Sequence, residues 1–260
     1  MAVTKRVGSV TRGTTNPNRL RRVDRFIATL PVLKKPNPVV VDLGYGASPI
    51  TAIELQDRLT KVNQNVSVVG VEIEKDRVAR GKEVERPGLT FLLGGFETPL
   101  PAGIKSADVI RAFNVLRQYS EDEVPAAWAL MQSRLSEDGV LVEGTCDEIG
   151  RLSSWITITK QGPQIFTISL HLGSVEQPSK VAERLPKALI HHNVPGERIH
   201  SFLEQLDQSW ANHASLSTFG TVQRWLAVCE EMVSAGWPVV VNRKRWRLGE
   251  LSVDWDAVRP

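Results

Sequence analysis

The stretch that decides the fold is Val41-Asp42-Leu43-Gly44-Tyr45-Gly46-Ala47-Ser48-Pro49. The valines before it, from Val39, form a short apolar run. Ser48 and Pro49 are typical of a helix start, so the pattern predicts a strand, a glycine turn and a helix over about 49–61. Glycine has no Cβ, and its backbone can approach a ligand closely. The stretch therefore predicts a ligand-binding turn at the carboxyl end of a buried strand.

The same alternation of apolar runs and helical stretches continues along the chain. Further strands are predicted at 66–71, 89–93, from 108 and at 140–143. Ser120 is expected to cap one of the intervening helices, and Glu137-Asp138-Gly139 to form the turn into the fifth strand. Strands that are almost continuously apolar and alternate with helices indicate a parallel sheet with helices on both faces. We expect a Rossmann-like α/β core.

The pattern changes after the fifth strand. Trp155–Thr159 and Ile165–Leu170 alternate with period two around a turn, which predicts a hairpin at an antiparallel edge of the sheet. Helix-like stretches follow at about 179–190, 196–212 and 220–235. We therefore expect three parts: a basic arm with a helix (1–36), the core (37–172) and a helical extension packed on the core (173–260).

An acid ends the second predicted strand. Glu72 follows Val66–Val71 and could accept hydrogen bonds from two ribose hydroxyls of a nucleotide beyond the strand ends. Gly94-Gly95-Phe96-Glu97 occupies the corresponding position after the third strand. Asn114-Val115-Leu116 follows the fourth.

At these positions the sequence resembles the class I S-adenosylmethionine-dependent methyltransferases. Asp42-Leu43-Gly44-Tyr45-Gly46 is similar to the first motif of that family, and Val69-Gly70-Val71-Glu72 to the second. The resemblance implies S-adenosylmethionine as cofactor. It also implies a set of cofactor-binding positions, namely Asp42, Gly44, Tyr45, Gly46, Glu72, Ile73, Gly95, Phe96, Glu97 and Asn114.

Three departures from the family pattern accompany the resemblance. Ala47-Ser48-Pro49 replaces the third glycine of the first motif, and Gly95 stands where an aspartate is expected. The loop after strand four lacks the Asn/Asp-Pro-Pro-aromatic motif of amino-group methyltransferases of nucleic acids. Methyl transfer needs in-line placement and, for many acceptors, a base. The residues expected near the methyl group are Asn114, Arg117, Tyr119, Glu143, Thr145 and Asp147.

Composition excludes several classes of protein. The chain has 260 residues, of which 42 % are hydrophobic and 23 % charged, so it can bury a substantial core and is not intrinsically disordered. No apolar stretch is long enough for a membrane span, and the first residues lack the apolar run of a signal peptide, so we expect a cytoplasmic protein. Cys146 and Cys229 make no disulfide framework, and His191-His192 lacks further ligands at zinc spacing, so we expect no metal.

The net charge of +3 conceals a strong division. Residues 37–172 carry five more acids than bases. The basic arm holds nine basic residues against Asp24 alone, and they are Lys5, Arg6, Arg12, Arg19, Arg21, Arg22, Arg25, Lys34 and Lys35. The arm could be a solvated helix face, a lid across the cofactor mouth that grips an anionic substrate, or a nucleic-acid contact. A second basic cluster follows the possible edge strand Val239–Val241, and it is Arg243-Lys244-Arg245-Trp246-Arg247. Because of this cluster, nucleic acid stays open as a partner.

The sequence thus favours a methyltransferase acting on a small-molecule acceptor. Two alternatives stay open: an RNA or DNA methyltransferase that uses the basic arm, and a non-catalytic protein that binds S-adenosylmethionine for regulation.

Overall fold

A computed structural model describes residues 6–13 and 15–260 of the chain. Lys5, which the sequence placed in the basic arm, lies outside these residues. The helices are α1 Arg21–Ile27, α2 Ile50–Leu59, α3 Lys75–Lys82, α4 Val124–Gln132, α5 Lys187–Ile190, α6 Arg198–Asn212, α7 Thr221–Ser234 and α8 Arg243–Trp246. The strands are β1 Val39–Leu43, β2 Ser67–Glu72, β3 Leu89–Leu93, β4 Ala107–Phe113, β5 Leu135–Cys146, β6 Leu152–Thr159, β7 Gly162–Leu170 and β8 Glu250–Asp254.

The strand order is β3-β2-β1-β4-β5-β6-β7-β8. β1 pairs in parallel with both β2 and β4, and β2 pairs in parallel with β3. β1 and β4 are buried along their whole length, as their continuous apolar runs predict for parallel strands. The order reverses beside β1, so a switch point lies where the glycine turn was predicted. The expected Rossmann-like α/β fold is confirmed.

The chain divides into two compact units. Unit 1 comprises 1–143, 148–150 and 158–162. Unit 2 comprises 144–147, 151–157 and 163–260. The division at residues 36 and 172 stays a prediction. Among the residues that the structure describes, every helix is too short or too polar to cross a bilayer.

Two local predictions in unit 1 were wrong. Ser48 does not cap α2, since the helix begins after Pro49 and has no side-chain cap. In the first turn of the helix, the Thr51 hydroxyl donates to Asp42 at 2.8 Å. Glu137-Asp138-Gly139 is not a turn but lies within β5, which starts at Leu135. A Cβ at Gly139 would come within 2.9 Å of a backbone oxygen, so this glycine permits close packing against β4 rather than a change of chain direction.

The C-terminal part of unit 2 is less helical than predicted. Over 179–190 the chain forms a 3-10 helix, Pro178–Arg184, and then one turn at α5, because Pro186 prevents a continuous helix. The helices predicted at 196–212 and 220–235 are present as α6 and α7. β8, which the sequence did not predict, pairs antiparallel with β7, so the edge strand comes from the end of the chain. Val239 forms only an isolated bridge, to Val253.

The basic arm is not a solvated helix face. Arg19 and Arg22 are buried, and Arg22 Nε donates to the carbonyl oxygen of Gly150 at 3.0 Å. Arg21 donates to the carbonyl oxygen of Ile149 at 3.0 Å. These arginines are therefore used within unit 1 to attach the arm.

A buried ionic cluster attaches α1 to the sheet. Asp24 of α1 and Arg111 of β4 have no exposed side-chain surface, and the two form a salt bridge. Arg111 also binds Asp42, with Nη2 at 2.7 Å from Oδ2, and Arg58 of α2 forms a second salt bridge to Asp24. Burial alone would lower the pKa of the Arg111 guanidinium, but Asp24 and Asp42 raise it above its ordinary value, so the group stays charged.

We expect Asp24→Ala to lower the free energy of unfolding by about 3–5 kcal/mol, because it leaves Arg111 buried beside a single remaining carboxylate partner. Chemical denaturation measures this change. Asp57→Ala is the matched control, since Asp57 pairs with Arg86 at an exposed position where ion pairs contribute at most about 1 kcal/mol. Equal losses in the two variants would contradict a structural role for the cluster.

Candidate nucleotide-binding cleft

A cleft lies in unit 1 at the carboxyl ends of β1, β2 and β3. Six of the residues singled out from the sequence line it: Gly44, Glu72, Ile73, Gly95, Phe96 and Tyr119. Leu43, Gly94 and Val115 also line the cleft. The carboxyl ends of parallel strands beside a switch in strand order are where α/β sheets bind ligands.

The glycine turn after β1 needs its glycines. Gly44 and Gly46 both have positive φ, 71° and 87°, which other residues adopt only with strain. The amide of Gly44 donates to the carbonyl oxygen of Val71 at 2.7 Å. The turn is thereby fixed against the end of β2.

Glu72 is the central acid of the cleft. It is 1 % exposed, and its Oε2 accepts from the amide of Gly46 at 3.0 Å while Oε1 accepts from the amide of Ile73 at 2.9 Å. Arg77 Nη1 lies 3.6 Å from Oε2. The glycine turn after β1 and the acid that ends β2 are thus joined by a hydrogen bond. Oε1 also accepts from the amide of Glu74 at 3.4 Å, which leaves about one acceptor site of the carboxylate for a ligand.

The loop after β3 forms another side of the cleft. Glu97 folds back so that Oε1 accepts from the amide of Gly95 at 2.9 Å. The Phe96 ring packs edge-to-face on Tyr119, with ring centroids 5.1 Å apart. Phe96 and Ile73 give the cleft apolar surface of the kind on which a flat base packs.

Two predicted cofactor-binding side chains point elsewhere. Asp42 is occupied by Arg111 and Thr51, and it is 2 % exposed. The ring of Tyr45 packs edge-to-face on Phe91, and its hydroxyl donates to the carbonyl oxygen of Arg77 at 3.0 Å. Burial, with the nearby charges of Glu72 and Asp42, raises the pKa of Tyr45. These two side chains therefore stabilise the glycine turn by contacts outside the cleft.

The three residues proposed for catalysis follow β4. Asn114 has φ 60°, a left-handed conformation that is uncommon outside glycine and is concentrated at functional sites. Arg117 belongs to the 3-10 turn Leu116–Gln118 and is partly exposed. Tyr119 comes directly after it, and its hydroxyl accepts from the amide of Ser9.

The other candidate bases differ in their surroundings. In unit 2, Thr145 donates to the carbonyl oxygen of Arg184, and Asp147 accepts from the amide of Arg151 at 2.7 Å. In unit 1, Glu143 is 1 % exposed, and no cation among the described residues pairs with it. Burial raises the pKa of Glu143 to about 8, although the indole N–H of Trp128 partly offsets this rise.

The sequence missed part of the cleft. Residues 6–13, which we call the strap, run through it, and Val7, Gly8, Ser9 and Thr11 belong to its lining. The sequence contained only the glycines of this segment as a signal, and they indicated an extended chain rather than a docking position. The lid alternative had the arginines of the arm lie across the cofactor mouth, whereas residues 6–13 lie in the cleft, so the role of these arginines as a lid stays a prediction.

Comparisons with known proteins give only distant likenesses. No family model matches the chain, and no curated protein matches it. A TehB-like SAM-dependent methyltransferase from Corynebacterium glutamicum is 21 % identical, with 52 % of this chain and 65 % of that chain covered and a TM-score of 0.36. Magnesium protoporphyrin IX methyltransferase from Synechocystis with bound SAM is 18 % identical, with 50 % and 58 % covered and a TM-score of 0.38.

A pericyclic reaction enzyme is 18 % identical, with 46 % of this chain and 32 % of that chain covered and a TM-score of 0.37. The match thus spans less than two-thirds of the length of these three proteins. With TM-scores below 0.5, we draw no functional conclusion from them.

The buried Glu143 predicts a pH-dependent stability. Between pH 4.5 and 8 the folded state keeps a proton that the unfolded state releases, so the free energy of unfolding of the native protein falls as pH rises, by roughly 1 kcal/mol per pH unit. Glu143→Gln should remove this slope and be more stable than the native protein at pH 8. Denaturation at pH 5, 6, 7 and 8 measures it.

Glu137→Gln is the control for this experiment, because Glu137 lies in the same strand with an exposed side chain. It should keep the slope of the native protein. If Glu143→Gln and the native protein have parallel slopes, Glu143 is ionised in the folded state near neutral pH.

Proposed function

We propose that this chain is a class I S-adenosylmethionine-dependent methyltransferase. The observation that carries the proposal is the hydrogen bond from the Gly46 amide to Glu72 Oε2, which joins the glycine turn after β1 to the acid that ends β2. Gly95 and Phe96 lie in the same cleft. The family motifs resembled in the sequence are thus side by side at the strand ends, as a nucleoside cofactor requires.

The residues present fit such a cofactor. Glu72 is a buried carboxylate whose Oε2, which accepts from the Gly46 amide, keeps an acceptor site for a ribose hydroxyl. Ile73 and Phe96 offer apolar surface for the base, and the Phe96 amide and Glu97 carboxylate offer a donor and an acceptor for its edge. Gly44 lines the same cleft.

The cofactor would supply a methyl group on a sulfonium, which is electrophilic without further activation. This chain would contribute in-line placement through Asn114, Arg117 and Tyr119, and a base for acceptors that must lose a proton.

A small molecule is the acceptor that we propose. The core carries a net negative charge, and Arg19 and Arg22 of the basic arm are buried, so fewer cations are available to a nucleic-acid backbone than the sequence suggested. In unit 2, Arg243 and Arg245 form salt bridges with Glu230 and Glu250. These pairings also disfavour phosphate binding by the second basic cluster.

Calorimetry with S-adenosylmethionine and S-adenosylhomocysteine tests the proposal. The native protein should bind both ligands, and Glu72→Ala should weaken binding by about tenfold or more, because ribose hydroxyls lose a charged acceptor. Glu83→Ala is the matched control, since Glu83 is an exposed acid at the end of α3. It should bind as the native protein does.

The outcomes separate the alternatives. Absence of binding at millimolar ligand, both by the native protein and by variants in which the strap no longer fills the cleft, would reject the methyltransferase proposal. Binding without methyl transfer to any of a panel of hydroxyl, amine and carbon acceptors would favour the non-catalytic regulatory protein.

A further inference from the structure

The strap fills the cleft in which the cofactor is proposed to bind. With the strap in place, the remaining cavity lined by Gly44, Glu72 and Phe96 has a volume of about 20 Å³. This is room for about one water molecule, whereas small-molecule sites have volumes of about 300–1,000 Å³. A nucleoside therefore cannot enter until the strap moves.

The strap uses the same two polar groups that a base would use. The Val7 amide donates to Glu97 Oε2 at 2.9 Å, and the Val7 carbonyl oxygen accepts from the Phe96 amide at 2.9 Å. One peptide residue thus presents a donor beside an acceptor. Adenine also presents an amino donor beside a ring-nitrogen acceptor. Val7 and adenine would compete for one donor and one acceptor of the protein.

Gly95, in the loop after β3, allows the strap to approach closely. A Cβ at Gly95 would lie 2.0 Å from the Val7 carbonyl oxygen, which no packing could accommodate. At the first turn, a Cβ at Gly46 would lie 2.7 Å from Thr15 Oγ1, just beyond the strap. The close backbone approach that the sequence assigned to a ligand is here made by the chain itself.

Further contacts hold the strap along its length. Arg77 Nη2 donates to the Thr11 carbonyl oxygen at 2.8 Å, and the Arg12 amide donates to Gln118 Oε1 at 3.2 Å. The Ser9 amide donates to the Tyr119 hydroxyl. The groups that it engages thus belong to all sides of the cleft, so the docked strap is a defined conformation.

We propose that the strap is a built-in competitive inhibitor that holds the protein in a closed state and is displaced by the adenine end of the cofactor. The inference rests on the proposed function for the identity of the displacing ligand. The affinity measured for the cofactor is then the intrinsic affinity multiplied by the fraction of molecules whose strap is undocked. Any event that undocks the strap activates binding.

Val7→Pro tests the proposal, because proline lacks the amide hydrogen that Val7 donates to Glu97, and the substitution leaves Glu97 and Phe96 themselves unchanged. Losing a hydrogen bond to a carboxylate should lower the dissociation constant for S-adenosylhomocysteine by about tenfold. Val10→Pro is the matched control. Val10 is an exposed valine of the same strap, and the same substitution there should change the constant by less than about twofold.

A second variant covers the case in which Val7→Pro disturbs the arm more widely. Gly8 has φ +132°, and a Cβ there would lie 3.0 Å from the Tyr119 hydroxyl. Gly8→Val should therefore undock the strap through strain and also strengthen binding. Hydrogen exchange gives a readout on the strap itself: in the native protein without ligand, the Val7 and Ser9 amides should be protected, and S-adenosylhomocysteine should increase their exchange.

Each result decides the matter. Tighter binding in both variants, with faster exchange of the native strap on ligand addition, supports inhibition. Unchanged or weaker binding in the variants, or slower exchange on ligand addition, overturns it, because the strap would then be a lid that retains the cofactor. No binding by the native protein or either variant rejects the proposed function, and the inhibition with it. Binding by the variants alone supports both.

Discussion

The salt bridge between Arg111 and Asp24, with Asp42 as second partner, is the constraint on which the rest of unit 1 depends. Three charges are removed from water there, which is favourable only when all of them are paired. The cluster joins α1 to β1 and β4, and Arg58 extends it to α2. It therefore holds the base of the arm in one place, and this limits where the strap can lie.

The residues that resemble a cofactor motif divide into two physical roles. Asp42 and Tyr45 are turned into the interior, where they stabilise the turn, whereas Glu72, Gly95 and Phe96 face the cleft. Glu72 has both roles, since it accepts backbone amides and keeps capacity for a ligand. A residue of such a motif can thus be needed for the conformation of the turn as well as for contact with a ligand.

The sequence predicted the features that depend on local pattern. The continuous apolar runs predicted strands β1 to β4. The glycine turn after β1 and the acid at the end of β2 predicted the position of the cleft. It could not predict that Arg22 is buried, because a charge run acquires partners only in the folded chain. Nor could it predict β8, a short segment whose strand form depends on pairing with β7. The position of the strap in the cleft could not be predicted for the same reason, since the strap contacts residues that are distant in the sequence.

The contacts of the strap have a consequence for the order of folding. Val7 pairs with a residue 90 positions later and Ser9 with one 110 positions later. During synthesis the strap leaves the ribosome before the residues on which it docks, and its docking surface exists only after Tyr119 has emerged and β1 to β4 have paired. Closing such long loops is slow relative to local structure formation. The cleft should therefore form open and be filled by residues 6–13 last.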